Sequence, residues 1–155
     1  MFYLYSVKRK TMFSKSCEYA IKAVIYISHK SREGNRVGVK EVAGSIDAPE
    51  AFIAKILQDL SRKKVVNSMK GPNGGFYLEK ENLKISLADI VKAIDGDKIY
   101  HECVLGLKAC SQKNPCPVHD EYKEIKKKLI AMLENNSIDN FHEMIRSGRY
   151  FLKMN

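Results

Sequence analysis

Apolar residues recur at helical spacing along most of this chain, and short strand-like runs flank one glycine-rich turn. Cys17, Ala20, Ile21, Val24, Ile25 and Ser28 put small or apolar side chains on one stripe, which predicts a helix over residues 14–30. The polar stretch from Lys30 to Arg36, with Gly34 and Asn35 inside it, marks a turn. A short helix is expected over Val39–Ser45. Ile46-Asp47-Ala48 then makes a tight connection, and Pro49 suits the first position of a third helix that runs to about Lys63. Its buried face is read as Phe52, Ile53, Ile56, Leu57 and Leu60.

Two such helices with a short joint outline a helix-turn-helix, whose second helix enters a DNA major groove; an ordinary antiparallel helix pair has the same outline. The next segment favours the former. Val65–Lys70 and Phe76–Leu78 flank Gly71-Pro72-Asn73-Gly74-Gly75, a turn that reads as a basic β-hairpin directly after the third helix, as in a winged helix. The glycines lack the spacing of a phosphate-cradling loop. Ser86-Leu-Ala-Asp89 resembles a capping box and starts a helix bearing Leu87, Ile90, Val91 and Ile94, which stops at Gly96. From Val118 to about Asn135 a long helix carries Tyr122, Ile125, Leu129, Met132 and Leu133 on one stripe and four lysines elsewhere. Packing against its own domain and pairing with a second copy both explain that seam; pairing is preferred, because operator-reading proteins need a second half-site. A last helix starts near Ser137 and buries Ile138, Phe141, Met144 and Ile145.

Between the helix ending at Gly96 and the long helix lie Cys103, Cys110 and Cys116, spaced C-x6-C-x5-C, with His119 three residues later. Thiolates on an irregular loop suit iron–sulfur ligation, because soft sulfur donors match iron in a sulfide cage. Three cysteines leave a fourth position to be supplied. Zinc on the three thiolates plus His119 is one rival, although no C-x2-C to C-x4-C pair is present. A reversible Cys110–Cys116 disulfide is another. A thiol oxidoreductase lacks its C-x-x-C, and a basic dimeric adaptor with structural cysteines would bind no DNA. Cys17 falls on the first helix's apolar stripe and reads as a small buried residue.

Charge sharpens the picture. Lys and Arg number 27 against 18 Asp and Glu, a formal net charge of +9 that favours a polyanionic partner. No apolar run reaches membrane-spanning length, and the positive charges at Lys8, Arg9 and Lys10 follow the short apolar start, the reverse of a signal peptide. Met12 is a candidate second start. Four cysteines without a secretory signal indicate a reducing, cytoplasmic setting.

The blocks Val39–Ala43, Pro49–Leu60 and Lys70–Leu78, followed by three cysteines, resemble a bacterial winged-helix family that includes the iron–sulfur cluster regulator and the nitric-oxide-sensitive repressor. The resemblance runs from about Met12 through the C-terminal helices. It implies a homodimer with crossing long helices, a cluster loop beside that interface, and operator binding governed by the cluster. One branch holds [2Fe–2S] with a histidine three residues after the third cysteine, where His119 stands. Another holds [4Fe–4S] with an acidic ligand near the start of the partner's first helix, where Glu18 aligns. Glu18 is preferred, since a cross-subunit ligand ties cluster loss to dimer geometry; an ion pair with Lys22 would explain it without metal. The resemblance assigns Pro49, Glu50, Ala51, Phe52, Ala54, Lys55, Arg62, Lys70 and Asn73 to duplex DNA. Ala51 and Ala54 replace a serine and a glutamate of the iron–sulfur cluster regulator, and Phe52 replaces a tyrosine, so a different operator is expected. Lys55 and Lys70 would anchor phosphates. The first cysteine interval is one residue longer than the family's five.

The expectation is therefore a mainly α chain with a small hairpin wing: an extension at 1–11, a winged helix-turn-helix at 12–98, a cysteine loop at 99–117 and dimerisation helices at 118–155. Its function would be transcriptional regulation, not enzymatic catalysis, controlled by an iron–sulfur cluster that senses nitric oxide, redox state or iron–sulfur status.

Overall fold

Ser14 opens the first helix, α1 (Lys15–Arg32), by accepting the Cys17 amide in an N-cap. The computed structural model describes residues 12–149; the extension at 1–11 and the last six residues lie outside that range. α1 runs two residues past the expected end because Gly34, at φ +79°, lets the chain reverse in a left-handed turn. Asn35 and Gly34 there donate to the carbonyls of Lys30 and Ser31. α2 (Val39–Ser45) and α3 (Glu50–Arg62) follow, with Pro49 as N-cap of α3 rather than its first residue.

Both of these helices end in the same way without glycine. Asp47 and Lys64 take left-handed φ of 50° and 59°, and the next amides, of Ala48 and Val65, return to Ala43 and Leu60. This explains a correction to the expected strands. Val65 and Val66 are buried but their amides close the helix end, so the first strand shrinks to β1 (Asn67–Met69). β2 (Gly75–Tyr77) pairs with it in antiparallel register, Asn67 opposite Tyr77 and Met69 opposite Gly75. Leu78 leaves the ladder, and its amide donates to Ser31 Oγ of α1 at 2.9 Å. Val37 adds an unforeseen rung from outside the hairpin by exchanging both hydrogen bonds with Phe76. That rung needs Gly75, whose φ is +140° and whose missing Cβ would sit 2.8 Å from the Val37 carbonyl oxygen.

A 3-10 turn at Glu81–Lys84 leads to α4 (Leu87–Asp95), which opens with the expected Ser86–Asp89 capping box and ends at Gly96. α5 (Lys98–His101) is a single turn. α6 (His119–Asn135) and α7 (Ile138–Arg146) complete the described chain. The starts of α4 and α7 are stitched together, Leu87 to the Asn136 carbonyl and Ile138 to the Ile85 carbonyl, both at 2.9 Å.

The core gathers on α1. Ala20, Ala23, Val24 and Ile27 are fully buried among Ile53, Leu57 and Leu60 of α3 and Ile90 and Val91 of α4. Three expectations of burial are corrected. Phe52 is 40% exposed, because it lies on the α3 face turned toward solvent, with its ring set edge-on to that of Tyr19 of α1 at 5.9 Å. On α6 only Leu133 is buried, while Ile125 and Met132 stand in solvent. On α7 only Ile138 is fully buried; Phe141, Met144 and Ile145 are half-buried.

Two glycine substitutions should move stability in opposite directions. Gly75→Ala strains a positive φ against backbone and is expected to lower stability by about 1–3 kcal/mol. Gly44→Ala sits inside α2 with open space around it and is expected to raise stability by about 0.5–1 kcal/mol. Thermal denaturation followed by circular dichroism reads both signs.

Candidate metal centre and nucleic-acid face

The cysteine segment leaves α4 through Gly96, makes the single turn of α5, and reaches the N-terminus of α6. Its fold is sparse: Gly106 donates to the Cys103 carbonyl, Cys110 to that of Leu107, and Ser111 and Asn114 exchange amide bonds. This loop nevertheless brings Cys103, Cys110 and Cys116 together with all three sulfurs within 4.8 Å of one another. The Sγ atoms of Cys103 and Cys116 are 3.7 Å apart. Two thiolates on one tetrahedral metal, with metal–sulfur bonds of about 2.3 Å, would be separated by about 3.8 Å. The donors thus already stand at a ligand–ligand spacing.

His119, the first residue of α6, points its Nδ1 at Cys110 Sγ across 3.2 Å. The four side chains line one cavity of about 500 Å³, with Tyr100, Tyr122 and Lys126 on its walls. Lys126 Nζ donates to the carbonyls of Glu102 at 2.8 Å and Tyr100 at 3.5 Å, which clamps the start of the loop onto α6. Sequence reasoning overlooked this clamp, since a lysine on a lysine-rich helix carries no distinguishing mark. Glu18, the other proposed donor, lies on the first turn of α1 and pairs at 3.1 Å with Lys15 rather than Lys22.

The thiols differ in acidity. The Leu107 backbone amide, ahead of that of Leu105 and the neighbouring cysteines, lowers Cys103 to about 7. Desolvation pushes Cys116 up. Cys17, wholly buried on α1, is raised to about 12 by burial and then by the Asp95 carboxylate. Its expected role as a packed core residue agrees with its zero exposure.

The residues assigned to DNA form an exposed band with one outlier. Pro49, Glu50, Ala51, Phe52 and Lys55 are exposed on the first half of α3, and Ala54 is half-buried. Lys70 and Asn73 are exposed at the hairpin turn. Arg62 lies at the other end of α3, about 20 Å along the axis from Pro49, ion-paired with Asp59 at 2.8 Å. Arg36 was missed. Its guanidinium stacks on the Tyr77 ring, 5.1 Å from the centroid, and donates to the Asn73 carbonyl at 3.4 Å, adding a cation to the wing. Only the Val37 rung, invisible in local periodicity, brings Arg36 there.

The model of the Rrf2 family, described as an iron-dependent transcriptional regulator, matches residues 13–143. The chain belongs to the Rrf2 family. A putative HTH-type transcriptional regulator of Aquifex aeolicus is 35% identical over 129 residues, covering 82% of this chain and 88% of that protein. Among solved structures, the T. potens IscR matches with a TM-score of 0.70 at 18% identity, covering 92% of this chain and 93% of its own. CymR, the global cysteine regulator of B. subtilis, matches with a TM-score of 0.70 at 17% identity, over 85% and 96%. These likenesses establish the winged-helix fold. Rrf2-family proteins are transcriptional regulators, not enzymes, and the family implies DNA binding. No helix among the described residues is long and apolar enough to cross a membrane.

Alkylation of the metal-free native protein should separate the thiols. Iodoacetamide is expected to modify Cys103 fastest, with a rate that rises through about pH 7, and to leave Cys17 unmodified until the protein is unfolded. Peptide mass spectrometry after timed quenching measures both.

Proposed function

We propose that this Rrf2-family protein is a homodimeric repressor in the cytoplasm that holds an iron–sulfur cluster on Cys103, Cys110, Cys116 and His119, the state of which sets operator affinity. The observation carrying this reading is the pairing of donors: Cys103 with Cys116 at 3.7 Å, and Cys110 with His119 at 3.2 Å. A [2Fe–2S] cluster takes two protein ligands per iron, whereas [4Fe–4S] takes one per iron and spreads its ligands further. When bound, such a cluster supplies a centre that reacts with nitric oxide or oxidants and is lost when iron is short.

The chain's own part is to convert ligation into position. His119 begins α6 and Lys126 ties that helix to the carbonyls beside Cys103, so any change in the loop bears on the α6 axis. α6 in turn packs on α4, which packs on α1 and α3. A coupling of about 1–3 kcal/mol along this path would change operator affinity roughly 5–150-fold. On DNA, the exposed start of α3 would face base edges, with Ala51, Phe52 and Ala54 offering apolar contact, while Lys55, Lys70 and Arg62 meet phosphates. Glu50 and Pro49 would orient the helix start, and Asn73 the wing tip.

A zinc site is the second reading, because three sulfurs mutually within 4.8 Å also suit a single ion. Anaerobic purification with iron, sulfide and zinc analysis and visible spectroscopy separates the two. Iron and sulfide in equal amounts with visible absorbance are expected; stoichiometric zinc would sink the cluster. His119→Ala is expected to alter the spectrum while Glu18→Ala leaves it unchanged, and the reverse result would move the fourth ligand to the partner's first helix.

The DNA face has a separate test. Lys70→Ala should weaken binding to all duplexes alike and reduce the slope of log affinity against log salt by about 1 per protomer, about 2 for the dimer. Fluorescence anisotropy at several salt concentrations measures it; a loss confined to one operator would instead make Lys70 a base reader.

A further inference from the structure

On the side of α1 away from α3, the C-terminal half of α1 and the whole of α7 enclose a cavity of about 260 Å³ that has no part in the cysteine site. Its body is apolar, formed by Ile25, Ile138 and Ile145. Ser28 opens into it. That residue is 2% exposed, and its Oγ is the one buried side-chain polar atom among the described residues with no hydrogen-bond partner. An unpaired buried hydroxyl is unfavourable, and native proteins satisfy nearly all such groups with protein, water or ligand. Two imidazoles, of His29 and His142, flank the cavity with ring centroids 6.1 Å apart and planes tilted by 30°.

Size, charge and polarity each narrow the occupant. A dry cavity of about 150 Å³ accepts benzene, and drug-sized pockets begin near 300 Å³, so one or two fused rings fit here. The polar groups around the rim already have partners: a His29 ring nitrogen lies 3.4 Å from the Glu33 carboxylate, Arg146 pairs with Glu143 at 3.5 Å, and Arg32 pairs with Asp139. Burial and then the nearby Arg32 lower the His142 pKa, so its imidazole is neutral at pH 7 and can stack on an uncharged ring. One unmet hydrogen-bonding group at the wall calls for one polar group on the ligand.

We propose that the α1–α7 cavity binds a small, neutral aromatic molecule carrying a single hydrogen-bonding group, which pairs with Ser28, and that this is a second input to the winged helix. The site is placed for that task. One turn beyond Ser28, Ser31 Oγ receives the Leu78 amide at the end of the wing, and Arg32 reaches Asp139 on α7. A ligand that fastens α7 to α1 therefore also fixes the helix end from which the wing hangs.

The full chain contains no tryptophan, so an indole probe can be followed by its own emission. Indole is expected to bind saturably to the intact protein and equally well to a Cys103→Ser, Cys110→Ser, Cys116→Ser variant. Indole-3-carboxylate, charged, should bind at least about tenfold more weakly, because its carboxylate would lose water without gaining a free cation. Ser28→Ala should weaken indole binding about fivefold yet raise the melting temperature of the ligand-free protein, whereas a purely structural hydroxyl would lower it on removal. Ile145→Phe should fill the cavity and abolish binding. The proposal is overturned if indole, phenol and 2-naphthol all fail to saturate, or if Ile145→Phe binds as the parent does. It also falls if Ile145→Phe changes the mass measured by light scattering, which would make the cavity a contact between copies.

Discussion

Burial of the apolar stripe of α1 is the constraint from which the remaining structure follows. Ala20, Ala23, Val24 and Ile27 lie on one stripe at zero exposure, so α3 and α4 must supply an apolar wall along it, while Lys15 and His29 keep the opposite face in water. The alanines let α3 and α4 approach closely, and the larger Val24 and Ile27 fill what lies between them. The helix also has its end groups met, which fixes where the chain enters and leaves it. Ser14 caps one end and the Gly34 turn closes the other. The wing and α7 then attach to the last turn through Ser31 and Arg32. α1 is therefore the element from which the wing and α7 are both held.

The same helix meets the cysteine loop at its opposite end. Ser14 donates its amide to the Asp95 carboxylate at 2.9 Å, and its hydroxyl bonds the same group. Asp95 is the last residue of α4, one step before the reversal at Gly96 that launches the cysteine segment. Lys126 clamps the segment again beyond α5. The loop between these anchors has few backbone hydrogen bonds and carries Val104, Leu105 and Leu107 exposed. Segments of this kind sit at the low-stability end of a structure. Rigid anchors around a soft, thiol-bearing loop are a suitable arrangement for a group whose gain or loss must move something.

What was legible in the sequence was whatever rests on local chemistry. Periodicity and caps located α1–α4, α6 and α7 to within a residue or two, and the Ser86–Asp89 box stands as read. The glycine pair of the hairpin was recognisable because positive φ has few other solutions. Non-local pairing was not legible. The Val37–Phe76 rung joins residues 39 apart in the chain, and with it went the placement of Arg36 on Tyr77. Left-handed Asp47 and Lys64 carry no glycine signal, so the apolar pattern extends the strand back to Val65, a residue that completes a helix end. Convergence of the three cysteines was inferred from residue type alone; the pairing of His119 with Cys110 needed the fold.

The long helix poses the last question of balance. α6 has 17 residues but buries only Leu133, and Ile125 and Met132 remain 60% and 48% exposed. Helices of this length are marginal in water without tertiary packing. Here Lys126 turns to the loop carbonyls and Lys127 pairs with Glu124 at 2.7 Å, so neither covers the apolar seam. A single chain meets α6 through Leu129 and Leu133 and through the Lys126 clamp, and leaves Ile125 and Met132 bare. The exposed Val104, Leu105 and Leu107 of the cysteine loop add apolar surface to the same account. Antiparallel crossing of two α6 helices would cover Ile125 and Met132 and keep the lysines in water. It would also set each cysteine loop against the partner, so that ligation and pairing share one surface. In the proposed dimer the seam that looks unfinished in one chain is the place where the loop's state is read.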